Sequence, residues 1–219
     1  MIKCVIFDCD GTLVDSELLC NMALSHELSD YGVAISAEQL VAQYRGVKLD
    51  HILSDIERHY EVTLNEEFIV TYRRHVAQLF DRYLKPCDGI EQALEQLSLP
   101  ICVASSGPVA KIKHALELTQ LASFFGNNIF SAYEIGSWKP DPTLFLHAAQ
   151  TMGFAPAQCA VVEDSVVGIQ AAQAAGMSPI LYDPHNIHPK LADVLTIASM
   201  SQLGLALAAH SVDLANRID

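Results

Sequence analysis

The chain has 219 residues, 51% of them hydrophobic and 18% charged, enough to bury a core as one domain, or as one catalytic core carrying a modest insertion. That mixture excludes disorder, collagen-like repeats and coiled coil as the main architecture. With 13 Lys plus Arg against 26 Asp plus Glu, the net charge of −13 argues against nucleic acid or an anionic membrane as partner, and any anionic substrate needs local positive charge.

The chain opens on a short apolar run, residues 2–7, that stops abruptly at Asp8-Cys9-Asp10-Gly11. This pattern predicts a buried strand ending in a turn. Residues 16–84 offer four helical patterns and no convincing strand. Leu49, Ile52, Leu53, Ile56 and Tyr60 recur at helical spacing, and Phe68, Ile69, Tyr72, Val76, Leu79, Phe80 and Tyr83 trace one face of a longer helix that Asn65, Glu66 and Glu67 introduce. A stretch this long between a strand and the next element exceeds any βα loop, so it predicts a small helical domain over the strand ends.

Beyond it, 90–97 reads as a helix, 101–104 as a strand, and Ser106-Gly107-Pro108 as the cap and first-turn proline of another helix. Short apolar runs recur at 159–162, 179–182 and 194–198, and the Ala-rich 169–175 stops at Gly176. The alternation predicts an α/β fold: a Rossmann-like parallel sheet core of residues 1–15 and 85–219, with an inserted α-helical cap domain over 16–84. The six cysteines form no C-x-x-C pair and most lie in apolar runs, the usage of free thiols in a reducing compartment. Too few apolar residues precede Asp8 for a signal peptide, and nowhere do 18 run together. The expectation is a soluble, cytoplasmic protein, by default a monomer.

Ligands in an open α/β sheet bind outside the carboxyl ends of the strands, where the first strand delivers Asp8 and Asp10. Two carboxylates that close repel, so one holds its proton more tightly; the natural division is an ionised Asp8 as nucleophile and a protonatable Asp10 as general acid and base. A lone D-x-D is more often a solvated turn. Here it continues as Asp-Cys-Asp-Gly-Thr-Leu-Val-Asp-Ser from Asp8 to Ser16, and three further pieces stand at suitable strand ends. Ser105, with the backbone N–H groups of Ser106 and its successors, suits an anion. Lys139 lies in Trp138-Lys139-Pro140-Asp141-Pro142, where two prolines fix the backbone. Glu163 and Asp164 offer hard oxygen ligands for a cation.

With these four ordered motifs, the sequence resembles the haloacid dehalogenase superfamily, in the branch of β-phosphoglucomutases and small sugar-phosphate phosphatases, over essentially its whole length. The resemblance implies Asp8 as the phosphorylated nucleophile, Asp10 as acid and base, and Ser105 and Lys139 as phosphate ligands. It further implies Mg²⁺ held by Asp8, the Asp10 carbonyl and Asp164, with Glu163 near the metal. It also implies a small phosphorylated metabolite as substrate, 6-phosphogluconate foremost.

The rivals are weaker. A halide leaving group needs no proton, which leaves Asp10 unexplained in a dehalogenase. The serine-hydrolase elbow lacks its first glycine at Val103, and no Gly-Lys dipeptide marks a P-loop. A non-enzymatic binding protein on the same fold has no need of all five residues. Asp183-x-His185-x-x-His188 is a weak metal pattern that reads as a solvated loop. Substrate contacts are expected from Arg45, Lys48 and Cys20. A mutase needs a cationic clamp for a second phosphate, and the resemblance sets apolar Leu49 at the clamp position and Cys20 where the mutase pattern has histidine. The expected acceptor is therefore water.

Overall fold

The computed structural model describes residues 1–192 and 194–216, with side chains to residue 209; the last three residues of the expected core range lie outside it. The chain starts with strand β1 (Cys4–Phe7) and continues into helices α1 (Glu17–Ser29), α2 (Ala37–Tyr44), α3 (Leu49–Tyr60) and α4 (Phe68–Tyr83). Helix α5 (Ile90–Gln96), strand β2 (Ile101–Ser105), helices α6 (Val109–Leu118) and α7 (Ala122–Phe125), strand β3 (Ile129–Ser131) and helices α8 (Ala132–Ile135) and α9 (Thr143–Met152) follow. The remainder is β4 (Cys159–Glu163), α10 (Val166–Ala174), β5 (Ser178–Tyr182), β6 (Leu195–Ile197) and α11 (Leu203–Asn216).

Among the described residues, six strands form one parallel sheet in the order β3-β2-β1-β4-β5-β6. β1 is apolar throughout because both its faces are covered, as parallel sheets require. Val5 and Phe7 join Val103, Ala160 and Val162 in one apolar cluster, while Cys4 and Ile6 join Cys102, Ala104 and Val161 in the other. The period of two along each strand thus sorts its residues between two cores. All six cysteines are free thiols, five of them buried. Among the described residues, no helix is long and apolar enough to cross a membrane.

Helices α1–α4 bury their own apolar cluster, which includes Leu24, Leu28, Leu40, Ile56 and Phe68. Val76 and Phe80 on α4 instead join the sheet-side cluster. The two segments joining this helical insert to the sheet run side by side: Asp15 N–H donates to the Lys85 carbonyl at 2.9 Å and Cys87 N–H to the Leu13 carbonyl at 2.9 Å.

Three local expectations are corrected. Ile129–Ser131 is a strand that periodicity does not announce, because three residues at the sheet edge are too short to display a period of two. Pro108 precedes α6 in extended backbone (φ −69°, ψ 147°) instead of opening its first turn, and no side chain caps the helix. No side-chain oxygen of Asn65 accepts from the first turn of α4; Glu67 stands at the N-cap, also without a side-chain capping bond.

Candidate active site

The chain leaves β1 for β2 and β3 on one side, then returns to lay β4 against the other side of β1. The crevice at the carboxyl ends of β1 and β4 is therefore the switch point where such sheets hold ligands. Asp8 extends β1, its N–H donating to the Val162 carbonyl at 2.9 Å. Asp10 follows in a tight turn closed by Leu13 N–H on the Cys9 carbonyl at 2.9 Å. Gly11 within that turn has φ +77°, and a Cβ there would stand 2.3 Å from Asp164 Oδ2. Only glycine lets the β1 turn lie this close to the acid that follows β4.

Lys139 is the buried cation of the site, donating from Nζ to Asp8 Oδ1 at 2.5 Å and to Glu163 Oε1 at 2.7 Å. The other oxygen of Glu163 accepts from the Ser165 N–H (2.7 Å) and hydroxyl (2.8 Å). Glu163 therefore orients Lys139 and the start of α10. Asp164 accepts from Arg45 Nη1 on Oδ2 at 3.0 Å and from the Thr12 hydroxyl on Oδ1 at 3.4 Å. Its backbone carbonyl accepts from His188 Nε2 at 2.8 Å, so this histidine is not a solvated one. Asp183 accepts from the N–H groups of Ile187 and His188, turning the loop that brings His188 to Asp164. His185 is exposed.

Asp10 is held on one oxygen by two donors: the Ser16 hydroxyl at 2.5 Å and Lys111 Nζ at 2.7 Å. Ser105 ends β2 in a fully buried position, and its Oγ accepts from the Gly107 N–H at 3.1 Å. The Ser131 hydroxyl donates to the Gly107 carbonyl at 2.6 Å, fixing the same turn. Asp8, Asp10, Ser105, Ser106, Lys139, Glu163 and Asp164 all line one cavity of about 530 Å³, which the insert walls from the other side with Cys20, Lys48, Leu49 and Tyr72 among others.

The expected substrate contacts divide. Lys48 and Cys20 line the cavity, but Lys48 is also 2.7 Å from Asp50 and 3.7 Å from the centroid of the Trp138 ring. Arg45 bonds Asp164, which lines the cavity, but is not itself among the lining residues. The turn that carries Arg45 presses on the sheet: Gly46 has φ +74°, and a Cβ there would stand 2.7–2.8 Å from Val167 and Ser165. Sequence reasoning assigned no role to Lys111, Thr12 or Ser16 and read His188 as part of a solvated loop. For Lys111 a faint signal existed, since it shares a helix side with buried Ala115 one turn on.

The electrostatics show what the site lacks. Burial pushes the Asp8 carboxyl up to about 7, with Glu163 and Asp10 adding to the rise and Lys139 opposing it. Burial, Glu163 and Asp8 likewise hold Asp164 well above the carboxylate range, against Arg45. For Asp10 burial also pushes upward, but the Lys111 ammonium and the Ser16 hydroxyl outweigh it and hold the group below its ordinary value. In the protein alone the order is thus the reverse of an ionised Asp8 and a protonated Asp10. The cause is specific: Lys111 serves Asp10, whereas Asp8 and Asp164 have too little positive charge around them. One oxygen from each of Asp8, Glu163 and Asp164 lies within 4.8 Å of the others. An all-carboxylate donor set with unmet negative charge fits a hard divalent cation such as Mg²⁺, and no His or Cys in it favours zinc.

The family model for haloacid dehalogenase-like hydrolases matches residues 2–176. The chain is 39% identical over 208 residues to the 6-phosphogluconate phosphatase of Escherichia coli, covering 92% of this chain and 93% of that protein. It superposes with a TM-score of 0.82 on a conserved haloacid dehalogenase-like protein of unknown function from Agrobacterium tumefaciens, at 32% identity over 96% of this chain and 100% of that one. A β-phosphoglucomutase from Clostridium difficile superposes with a TM-score of 0.83 at 22% identity, covering 98% of this chain and 100% of that one. The last of these likenesses carries the fold alone.

Proposed function

Because the chain belongs to the haloacid dehalogenase-like hydrolases and is a phosphatase of that family, we propose that it hydrolyses a small phosphorylated sugar or sugar acid, with 6-phosphogluconate as the substrate. The reaction runs through an aspartyl phosphate on Asp8, in a cytoplasmic monomer. The observation that carries this reading is the meeting of Asp8 and Asp10 in one cavity with Lys139 on Asp8. The curated relative named for 6-phosphogluconate supports the substrate.

In the first step an oxygen of Asp8 attacks phosphorus and the ester P–O bond breaks. Asp10 gives its proton to the departing sugar oxygen, so no free alkoxide forms. In the second step water attacks the phosphoryl group, Asp10 takes the water's proton, and the Asp8–phosphorus bond breaks to release inorganic phosphate. Lys139 and Ser105 hold the phosphoryl oxygens, with N–H groups of the Ser106-Gly107 turn on the same side. Asp10 needs its proton only with substrate present. The ester's negative charge beside it counteracts Lys111 and favours the protonated form.

Asp8, the Asp10 carbonyl and Asp164 would hold Mg²⁺, with Glu163 kept behind them by its bonds to Lys139 and Ser165. When bound, the ion neutralises charge on the phosphoryl oxygens. Residues 16–84 act as a cap over the core of 1–15 and 85–219, excluding bulk water during the first step. Arg45 and the close approach of Gly46 to Ser165 support a closed arrangement. Leu49 lines the cavity and offers a second phosphate no charge, which supports water as the acceptor over a mutase reaction.

The test is a panel of phosphorylated metabolites with Mg²⁺, with and without EDTA, followed by phosphate release. The reading expects metal-dependent release with 6-phosphogluconate giving the highest kcat/KM. Phosphate release undiminished in EDTA contradicts the metal. Conversion of β-glucose 1-phosphate to glucose 6-phosphate faster than phosphate release contradicts hydrolysis.

A further inference from the structure

The cations around the cavity differ in what they are already bound to. Lys139 is enclosed between Asp8 and Glu163, Lys48 is held by Asp50 and the Trp138 face, and Arg73 reaches the Tyr133 hydroxyl at 3.3 Å. Lys111 stands apart. It comes from α6 on the sheet side, and its side chain keeps 24% of its surface open where it lines the cavity. Its carboxylate partner has a second donor on the same oxygen, since the Ser16 hydroxyl is 2.5 Å from Asp10 Oδ1. Asp10 thus stays tethered if Lys111 turns to another anion. Its ammonium also faces the Phe80 ring, 5.6 Å from Nζ to the centroid, on the same side as Asp10 and the cavity. The wall around it mixes apolar Leu24, Val76 and Phe80 with the polar Asn21 and Tyr72, the acid Glu17 and the Cys20 thiol, which burial keeps protonated, pushed up to about 12; Lys111 is the open cation that this wall offers.

We propose that Lys111 is a specificity-determining residue whose ammonium binds the carboxylate of a phosphorylated sugar acid while Lys139 and Ser105 hold its phosphate. The proposal rests on the phosphatase reading and adds the residue that selects an acid over the corresponding alcohol. An open polyhydroxy chain is flexible enough to fold its carboxylate back from the phosphate end toward Lys111. A neutral polyol phosphate of equal length fills the same cavity and leaves the ammonium on Asp10. The selection is one of charge, since a compact ammonium makes a strong hydrogen bond to a carboxylate and a weaker one to a hydroxyl.

The experiment compares 6-phosphogluconate with sorbitol 6-phosphate, in which CH₂OH replaces the carboxylate, on the wild type, Lys111→Met and Lys111→Arg, each with Mg²⁺. A folded variant is verified by its melting transition. Because Lys111 leaves Asp10 only for the acid, its loss acts on Asp10 differently with the two substrates, so KM for each ester is read separately from kcat. The wild type is expected to prefer the acid. In Lys111→Met that preference should fall by about 30-fold through KM for the acid, and Lys111→Arg should keep most of it. A ratio in Lys111→Met within about threefold of wild type overturns the inference while the phosphatase reading stands. Failure of the wild type to release phosphate from either ester or from a generic aryl phosphate overturns both.

Discussion

Arg45, at the end of α2 in the helical insert, donates from Nη1 to Oδ2 of Asp164 across 3.0 Å and so ties the insert to the loop that follows β4. Asp164 is one of the three clustered carboxylates, so the guanidinium sits where a divalent cation would compete for the same oxygen.

Arg45→Met keeps the aliphatic stem but not the charge. Because Arg45 is only partly exposed, its field at Asp164 is incompletely screened. Mg²⁺ should therefore bind the variant about three- to tenfold more tightly in the absence of substrate. The fluorescence of Trp138, the sole tryptophan and next to Lys139, provides the titration signal. Weaker binding in the variant contradicts this competition.

The stability of the metal-free protein should depend on Asp8 in a defined direction. Burial raises its carboxyl from the ordinary 3.8 to about 7 in the folded chain, so the folded state retains a proton that the unfolded state releases between those limits. The stabilisation is present below about pH 4 and is lost as pH rises through about 7. The melting temperature in EDTA should fall from about pH 5 to pH 8, with a shallower fall in Asp8→Asn, and the gain on adding Mg²⁺ should be larger at the higher pH. Equal slopes for wild type and variant contradict the burial of an uncompensated charge at Asp8.

Asp10→Asn retains a hydrogen-bonding partner for Ser16 but has no proton to give. The loss should be about 10²–10⁴-fold with a sugar phosphate, whose alkoxide is a poor leaving group, and much smaller in the first step with an activated aryl phosphate. The comparison is of single-turnover rates, which isolates attack by Asp8 from the later hydrolysis. Equal losses with both esters remove the proton transfer from Asp10.

Much of this arrangement was legible in the sequence because it rests on local signals. Five of the six strands are apolar runs that stop at a polar residue, and helices α3 and α4 repeat at a period their buried Ile52, Leu53, Ile56, Phe68, Val76 and Phe80 obey. Asp8, Asp10, Ser105, Lys139 and Asp164 stand at strand ends or in adjoining loops, and the fold brings all five to one cavity. What was not legible depends on contacts distant in sequence. Lys111 bonds Asp10 across 101 positions and Arg45 bonds Asp164 across 119; no periodicity encodes either meeting. His188 was read as solvated because its loop looks polar, whereas the Asp183 carboxylate folds that loop inward. The charge order of Asp8 and Asp10 was likewise hidden, since it turns on which of the two acids receives Lys111.

The most direct test of the central claim is the mass of the peptide carrying Asp8, taken after acid quench during steady turnover of 6-phosphogluconate with Mg²⁺. Covalent catalysis by Asp8 predicts that a fraction of this peptide gains the mass of one phosphoryl group. The gain should be absent without substrate and in Asp8→Asn, whose phosphate release should drop by at least ~10³. Phosphate release at a near-normal rate from Asp8→Asn, with no adduct on the wild-type peptide at any quench time, would contradict the account.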